Sequence, residues 1–160
     1  MSALTFDYVV PGDDFTQAGA ASSDVKRKLK QIGCNADVIR RVAIAMYEGE
    51  INMVIHAGGG TAHVEIDPDK IYVVLEDHGP GIQDLSKAMK EGWSTAPDNV
   101  RSLGFGAGMG LPNIKKYSDI LDIDTKVGEG TALYITVFTD RNRVGRSEEH
   151  TSELQSHTQI

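Results

Sequence analysis

Glu48 and Asn52 stand four residues apart in the run IAMYEGEINMVIHAGGG, a spacing that puts both side chains on one face of a helix. Ala45 and His56 share that face. A neutral amide oxygen can help complete the octahedral oxygen shell that magnesium requires beside phosphates and water. A carboxylate one turn away can orient or deprotonate a nucleophilic hydroxyl. A solvated Glu and Asn on a helix surface is the ordinary reading of such a pair. Here the flanking Ile44, Met46, Met53 and Ile55 are apolar, so a largely buried helix carries polar groups that need partners. His56 reads as a helix-end histidine packed against neighbouring structure.

Asp77 closes a strand-like run in which Ile71, Val73, Leu75 and Asp77 all point one way. If the three apolar side chains face a core, so does the carboxylate. A buried acid must find donors, and the exocyclic amine of adenine is one. Gly79 and Gly81 would let the backbone approach a flat base with no Cβ in the way. A plain turn, Asp-His-Gly-Pro-Gly, explains the same residues. Gly104, Gly106, Gly108 and Gly110 then alternate directly before a helical pattern. Such a run can present successive backbone N–H groups to phosphate oxygens, aided by the helix N-terminus. A flexible linker is the alternative. The run is neither a Walker loop nor a dinucleotide fingerprint.

In this order, residues 40–131 resemble the GHKL ATPase superfamily, which includes gyrase-type ATPases, histidine kinase catalytic domains and anti-sigma factor kinases. The run around Glu48 is most similar to the anti-sigma factor serine/threonine kinases. The resemblance implies a Bergerat ATP-binding fold, with Glu48 as catalytic base and Asn52 as magnesium ligand. Asp77, Gly79 and Gly81 correspond to the adenine box, and residues 93–108 to an ATP lid with Ser94, Thr95 and Arg101 as candidate phosphate contacts. Thr131, after Gly130, would line the nucleotide site, although a hairpin turn followed by a β-branched residue explains that pair almost as well. The implied function is an ATP- and Mg2+-dependent serine/threonine protein kinase that phosphorylates a small anti-sigma-factor antagonist and sequesters a sigma factor, with homodimerisation through the first strand and helix. The same residues would serve an ATP-gated binding module that transfers no phosphate. A histidine kinase half is less expected for want of room upstream for its histidine-bearing hairpin. A gyrase-type ATPase is less expected for want of a transducer region.

The elements that must position these groups are readable from periodicity. Residues 4–10 alternate loosely and stop at Pro11-Gly12, an opening strand. Phe15, Ala18, Ser22, Val25, Leu29 and Ile32 recur at helical spacing, and Gly33 is a usual stop. Asn35 can cap a second helix, with Asp37 in its first turn. This helix runs to about Ala57, and Gly49 in its interior costs ~1 kcal/mol relative to Ala. Strands follow over 61–66 and 70–77 around Asp67-Pro68-Asp69, a short helix over 83–91, and a helix over 109–117 whose Lys115 and Lys116 read as a solvated face. Two further strands, 120–125 and 132–138, flank Gly128-Glu129-Gly130. Helices and strand pairs segregate, which predicts an α+β two-layer sandwich: a mixed, largely antiparallel sheet with helices on one face.

At 160 residues and 40% hydrophobic, the chain can bury one ordinary core. A single domain over 1–139 and a disordered tail over 140–160 are expected. Within that tail, RSEEHTSELQSH (146–157) is similar to one reading frame of an adapter oligonucleotide used in short-read sequencing, and reads as a translated artefact. The net charge of −7 argues against nucleic acid or an anionic membrane as partner. Residues 146–160, with one Arg and three Glu, account for −2 of it. The single cysteine, Cys34, reads as a small core residue in a reducing compartment. No stretch approaches the ~20 apolar residues of a membrane span, and the N-terminus lacks a signal peptide's pattern. A cytoplasmic location follows.

Overall fold

Alternating apolar residues turn one side of every strand inward and so decide where the helices pack. The computed structural model describes residues 4–13, 15–90 and 110–139. Its strands are β1 (Leu4–Pro11), β2 (Gly59–Ile66), β3 (Lys70–Asp77), β4 (Ile120–Lys126) and β5 (Gly130–Phe138). They form one sheet in the order β1-β2-β3-β5-β4. Ile71, Val73 and Leu75 of β3 and Leu133, Ile135 and Val137 of β5 are buried together. Over that face lie α1 (Ala20–Gln31), α2 (Ala36–Ala57) and α4 (Gly110–Tyr117), while α3 is a single turn at Leu85–Ala88. Helix α2 rests on β2, β3 and β5 and packs against both α1 and α4. The α+β sandwich with helices on one face is thus present. Among the described strands, however, every pairing is antiparallel rather than mixed. β1, β3 and β4 run in one direction and β2 and β5 in the other, and no two strands of like direction are neighbours.

The first helix departs from its periodicity. A 3-10 turn at Phe15–Gln17 precedes it, and α1 begins only after Gly19, whose φ of +94° interrupts the helical path. No side chain of α1's own end caps it. Glu50 of α2 does so from 28 or more residues away, accepting from the N–H groups of Ser22 at 2.6 Å, Gly19 at 3.0 Å and Ala21 at 3.2 Å. A carboxylate with only 1% of its surface exposed is tolerable there because it meets the orphan donors of a helix start. Asn35 caps α2 as expected, accepting from Asp37 N at 2.8 Å.

Gly49 also finds its reason. A Cβ at this position would collide with the Leu75 side chain, so the glycine lets α2 settle onto β3. At the other end of α2, Arg41 pairs with the buried Asp119 at 2.7 Å, and Asp119 in turn accepts from Phe138 N at 2.7 Å. This ties α2, the start of β4 and the end of β5 together. Cys34 is partly buried, and burial pushes its thiol pKa up. Lys115 and Lys116 are exposed. Among the described residues no helix is long and apolar enough to cross a membrane. The expected lid over 93–108, with Ser94, Thr95, Arg101, Gly104, Gly106 and Gly108, and the tail over 140–160 lie outside the described residues.

Candidate functional site

Helix α4 lies along the polar face of α2 with the two chains running in opposite directions. Its first residue, Gly110, is so close to Asn52 that a Cβ there would lie 2.8 Å from Asn52 Oδ1. One turn further on, Asn113 lies close enough to Glu48 to lower its carboxyl pKa. At the far end the Arg40 guanidinium lies over the Tyr117 ring at 5.6 Å. Going forward along α4 therefore runs back along α2. Glu48 and Asn52 are both half-buried. Burial raises the Glu48 pKa, and Asn113 works in the opposite direction. The result is a carboxylate more basic than an exposed one, next to a neutral amide.

Asp77 ends β3 at the edge of the same region. Its Oδ1 accepts from Gly79 N at 3.0 Å and from Thr131 N at 3.2 Å. Among the described residues its Oδ2 accepts no hydrogen bond, although the side chain is partly buried. Thr131 Oγ1 lies 2.8 Å from Thr125 Oγ1, which also accepts from Ile82 N at 2.9 Å. Gly128 N donates to Pro80 O at 2.9 Å. The loop after Asp77 is thus laced to the β4–β5 hairpin. Gly81 takes a φ of +78°, and a Cβ on it would press on the Lys126 carbonyl at 2.5 Å; one on Gly79 would press on Ala57. Protein atoms fill the room these two glycines leave. His56, at the end of α2, is half-buried and feels the Asp77 charge; burial lowers its pKa more than that charge raises it. It is a neutral ring at physiological pH.

Of the expected site residues, Glu48, Asn52, Asp77, Gly79, Gly81, Gly110 and Thr131 are described, and they fall into two groups. Glu48, Asn52 and Gly110 meet where α4 begins. Asp77, Gly79, Gly81 and Thr131 meet at the end of β3. Asn113 and Thr125 join these groups without having been singled out. Thr125 was visible only as an inward-facing position of its strand, and Asn113 only as a polar residue one turn into a short helix. Among the described residues no three His, Cys, Asp or Glu side chains gather as a metal site. A magnesium ion would therefore take one amide oxygen from Asn52 and the rest from phosphate and water, a hard-oxygen set that suits it. The open Oδ2 of Asp77 suits an amine donor such as that of adenine.

Residues 13–137 match the family of the histidine kinase-like ATPase domain. The chain belongs to this family. Its all-antiparallel open sheet with helices on one face is an α+β arrangement of that kind, and the family is one of ATP-using domains. The domain is 32% identical over 108 residues to the serine/threonine-protein kinase RsbT of Bacillus subtilis (strain 168), covering 65% of this chain and 75% of that protein. It is 30% identical over 118 residues to an anti-sigma F factor of Caldanaerobacter subterraneus subsp. tengcongensis, covering 71% and 79%. An anti-sigma F factor of Clostridium beijerinckii is 30% identical over 111 residues, covering 66% and 74%. The domain is therefore similar to a serine/threonine-protein kinase and to anti-sigma F factors.

Proposed function

We propose that this domain is an ATP- and magnesium-dependent serine/threonine protein kinase of the anti-sigma factor type. Its substrate would be a hydroxyl on a small anti-sigma-factor antagonist, and it would also sequester a sigma factor, working in the cytoplasm as a homodimer formed through β1 and α1. The observation that carries the reading is the Glu48–Asn52 pair, half-buried and one turn apart under the start of α4. The named relatives, a serine/threonine-protein kinase and anti-sigma F factors, support it. In this scheme Asp77 Oδ2 accepts from the adenine amine, and the Asp77–Thr131 lacing fixes the base. The glycine run that ends at Gly110 offers N–H groups to the phosphates. The acceptor hydroxyl attacks the γ-phosphorus, ADP leaves, and the hydroxyl proton passes to Glu48. A bound magnesium ion would neutralise phosphate charge, with Asn52 as its protein ligand. The raised Glu48 pKa brings the base closer to working pH, which favours proton transfer. Phosphoryl transfer depends mainly on positioning and charge stabilisation, so these few groups suffice.

Two substitutions separate catalysis from binding. Glu48→Ala leaves Asn52 and Asp77 in place, so ATP affinity is expected to hold while phosphoryl transfer falls ~10²–10⁴-fold. Asn52→Ala is expected to lose magnesium-dependent ATP binding and, with it, transfer. Nucleotide titrations with and without magnesium, run beside a labelled-phosphate assay on candidate antagonists, read both. A protein that binds ATP and switches a partner but labels no antagonist would be an ATP-gated module instead.

A further inference from the structure

We propose that Thr125 is a positioning residue for base recognition: its hydroxyl sets the direction in which the Thr131 hydroxyl donates, and so completes a donor–acceptor edge with Asp77. The inference rests on the nucleotide reading of this end of the sheet, and adds to it a side chain that touches no ligand. The placement begins in the strand register. Thr131 of β5 is paired with Asp77 of β3 on one side and with Thr125 of β4 on the other, so the three residues form one row across adjacent strands. Leu75, Leu133 and Ile123, each two residues from a member of the row, belong to the core under the helices. By the two-residue period of a strand, the row faces the same way. Thr131 is partly exposed, whereas Thr125 is buried.

A hydroxyl has one proton to give and two lone pairs to offer. Thr125 Oγ1 accepts from Ile82 N at 2.9 Å, which occupies one lone pair. Two oxygens remain within its reach, Thr131 Oγ1 at 2.8 Å and Gly130 O at 3.4 Å. The carbonyl can only accept, and at 3.4 Å it lies beyond the usual range of an O–H···O bond. The Thr125 proton therefore goes to Thr131 Oγ1. That leaves the Thr131 proton to donate outward, beside the open Oδ2 of Asp77, while Asp77 Oδ1 accepts from Thr131 N at 3.2 Å and keeps the two groups adjacent. Adenine carries an amine donor next to a ring-nitrogen acceptor, which matches an acceptor next to a donor. Hypoxanthine carries a carbonyl and an N–H in those places, which sets acceptor against acceptor and donor against donor.

Thr125→Val keeps the shape of the side chain and removes its hydroxyl. By calorimetric titration with magnesium present, it should lose about 3–10-fold in affinity for ADP, while affinity for inosine diphosphate stays within about twofold. The preference for ADP over inosine diphosphate then falls by the same factor. Inorganic tripolyphosphate, which carries no base, should bind as it does to the parent. Thr131→Val should lose the same preference, and adding Thr125→Val to it should cost nothing more, because Thr125 acts through Thr131. Thr125→Ser, which keeps a hydroxyl, should restore the preference. Circular dichroism checks the folding of each variant, and if Thr125→Val is unfolded, Thr125→Cys, whose thiol is a weak donor, carries the same test. A folded Thr125→Val or Thr125→Cys that keeps the parent's ratio of ADP to inosine diphosphate affinity overturns the inference. So does a loss shared equally by both nucleotides and tripolyphosphate, which would make Thr125 a structural residue only. A parent that binds neither nucleotide sinks the nucleotide reading itself, and the inference with it.

Discussion

Asp77 Oδ1 takes the N–H groups of Gly79 and Thr131, while Oδ2 accepts nothing among the described residues. That division makes Asp77→Asn an informative change, because an asparagine keeps an oxygen for the two backbone donors and puts an NH2 where the open acceptor was. Folding should survive, and ATP affinity should fall ~10–100-fold through loss of a hydrogen bond to a charged acceptor. Calorimetric titration with an unchanged affinity would leave Asp77 as a turn residue only. Glu48 and Asn52 were legible from sequence because an i, i+4 pair on an apolar helix is a local pattern. Asn113 and Thr125 were not, because each acts on a residue far away in the chain and neither is an unusual residue for its place. The glycines were legible as a group but for an incomplete reason. Gly79 and Gly81 make room for Ala57 and for the Lys126 carbonyl, contacts that only the folded packing defines.

Helices and strands repeat this contrast between local and distant causes. The cap Asn35, the stop before Gly58 and the alternation of β3 are written within a few residues, and α2 and β3 end where those signals place them. The start of α1 is not, since Glu50 of another helix determines it. A helical spacing that includes Phe15 and Ala18 therefore suggested a longer helix than the chain makes. Glu50 accepts three N–H groups in a place water does not reach. Glu50→Gln is nearly the same size, but its NH2 must face one of those donors. It should destabilise the domain by ~1–3 kcal/mol, seen as a lower urea midpoint with an unchanged slope. A midpoint equal to the parent's would mean that α1 holds its position by apolar packing of Val25 and Leu29 alone.

Across the whole molecule, the edge strand β1 is held from both faces of the sheet by ionisable groups. On the helix side the Tyr8 hydroxyl donates to Asp24 Oδ2 at 2.6 Å, and Lys28 lies on the same oxygen at 2.6 Å. Hydrogen bonds from Lys28 and Tyr8 hold the Asp24 carboxyl well below the usual range, so its contribution is lost only in strong acid. On the open side, His63 of β2 lies between Asp7 of β1 at 2.7 Å and Glu65 at 2.9 Å. Hydrogen bonds to Asp7 and then Glu65 raise its pKa above 6.5. A raised folded-state pKa stabilises fully below the unfolded value, and that stability drains away as pH climbs through the folded value. His56 has the opposite sign, since burial lowers its pKa below 6.5. The fold resists its protonation, so stability falls as pH drops from 6.5 towards the folded value. The two histidines thus shift in opposite directions from 6.5, one at the sheet's exposed edge and one beside the candidate site. Urea midpoints measured without nucleotide from about pH 5 to about pH 9 should show this in difference curves that cancel the carboxylates. The advantage of the parent over His63→Gln should be largest in acid and shrink towards alkaline pH, by less than ~1 kcal/mol because the cluster is solvent-exposed. Relative to His56→Gln, the parent should instead lose ground only as pH falls below neutrality. A His63→Gln curve parallel to the parent's at every pH would show that β1 is held by its backbone pairing with β2 and by the Tyr8–Asp24 contact, with no share for the histidine.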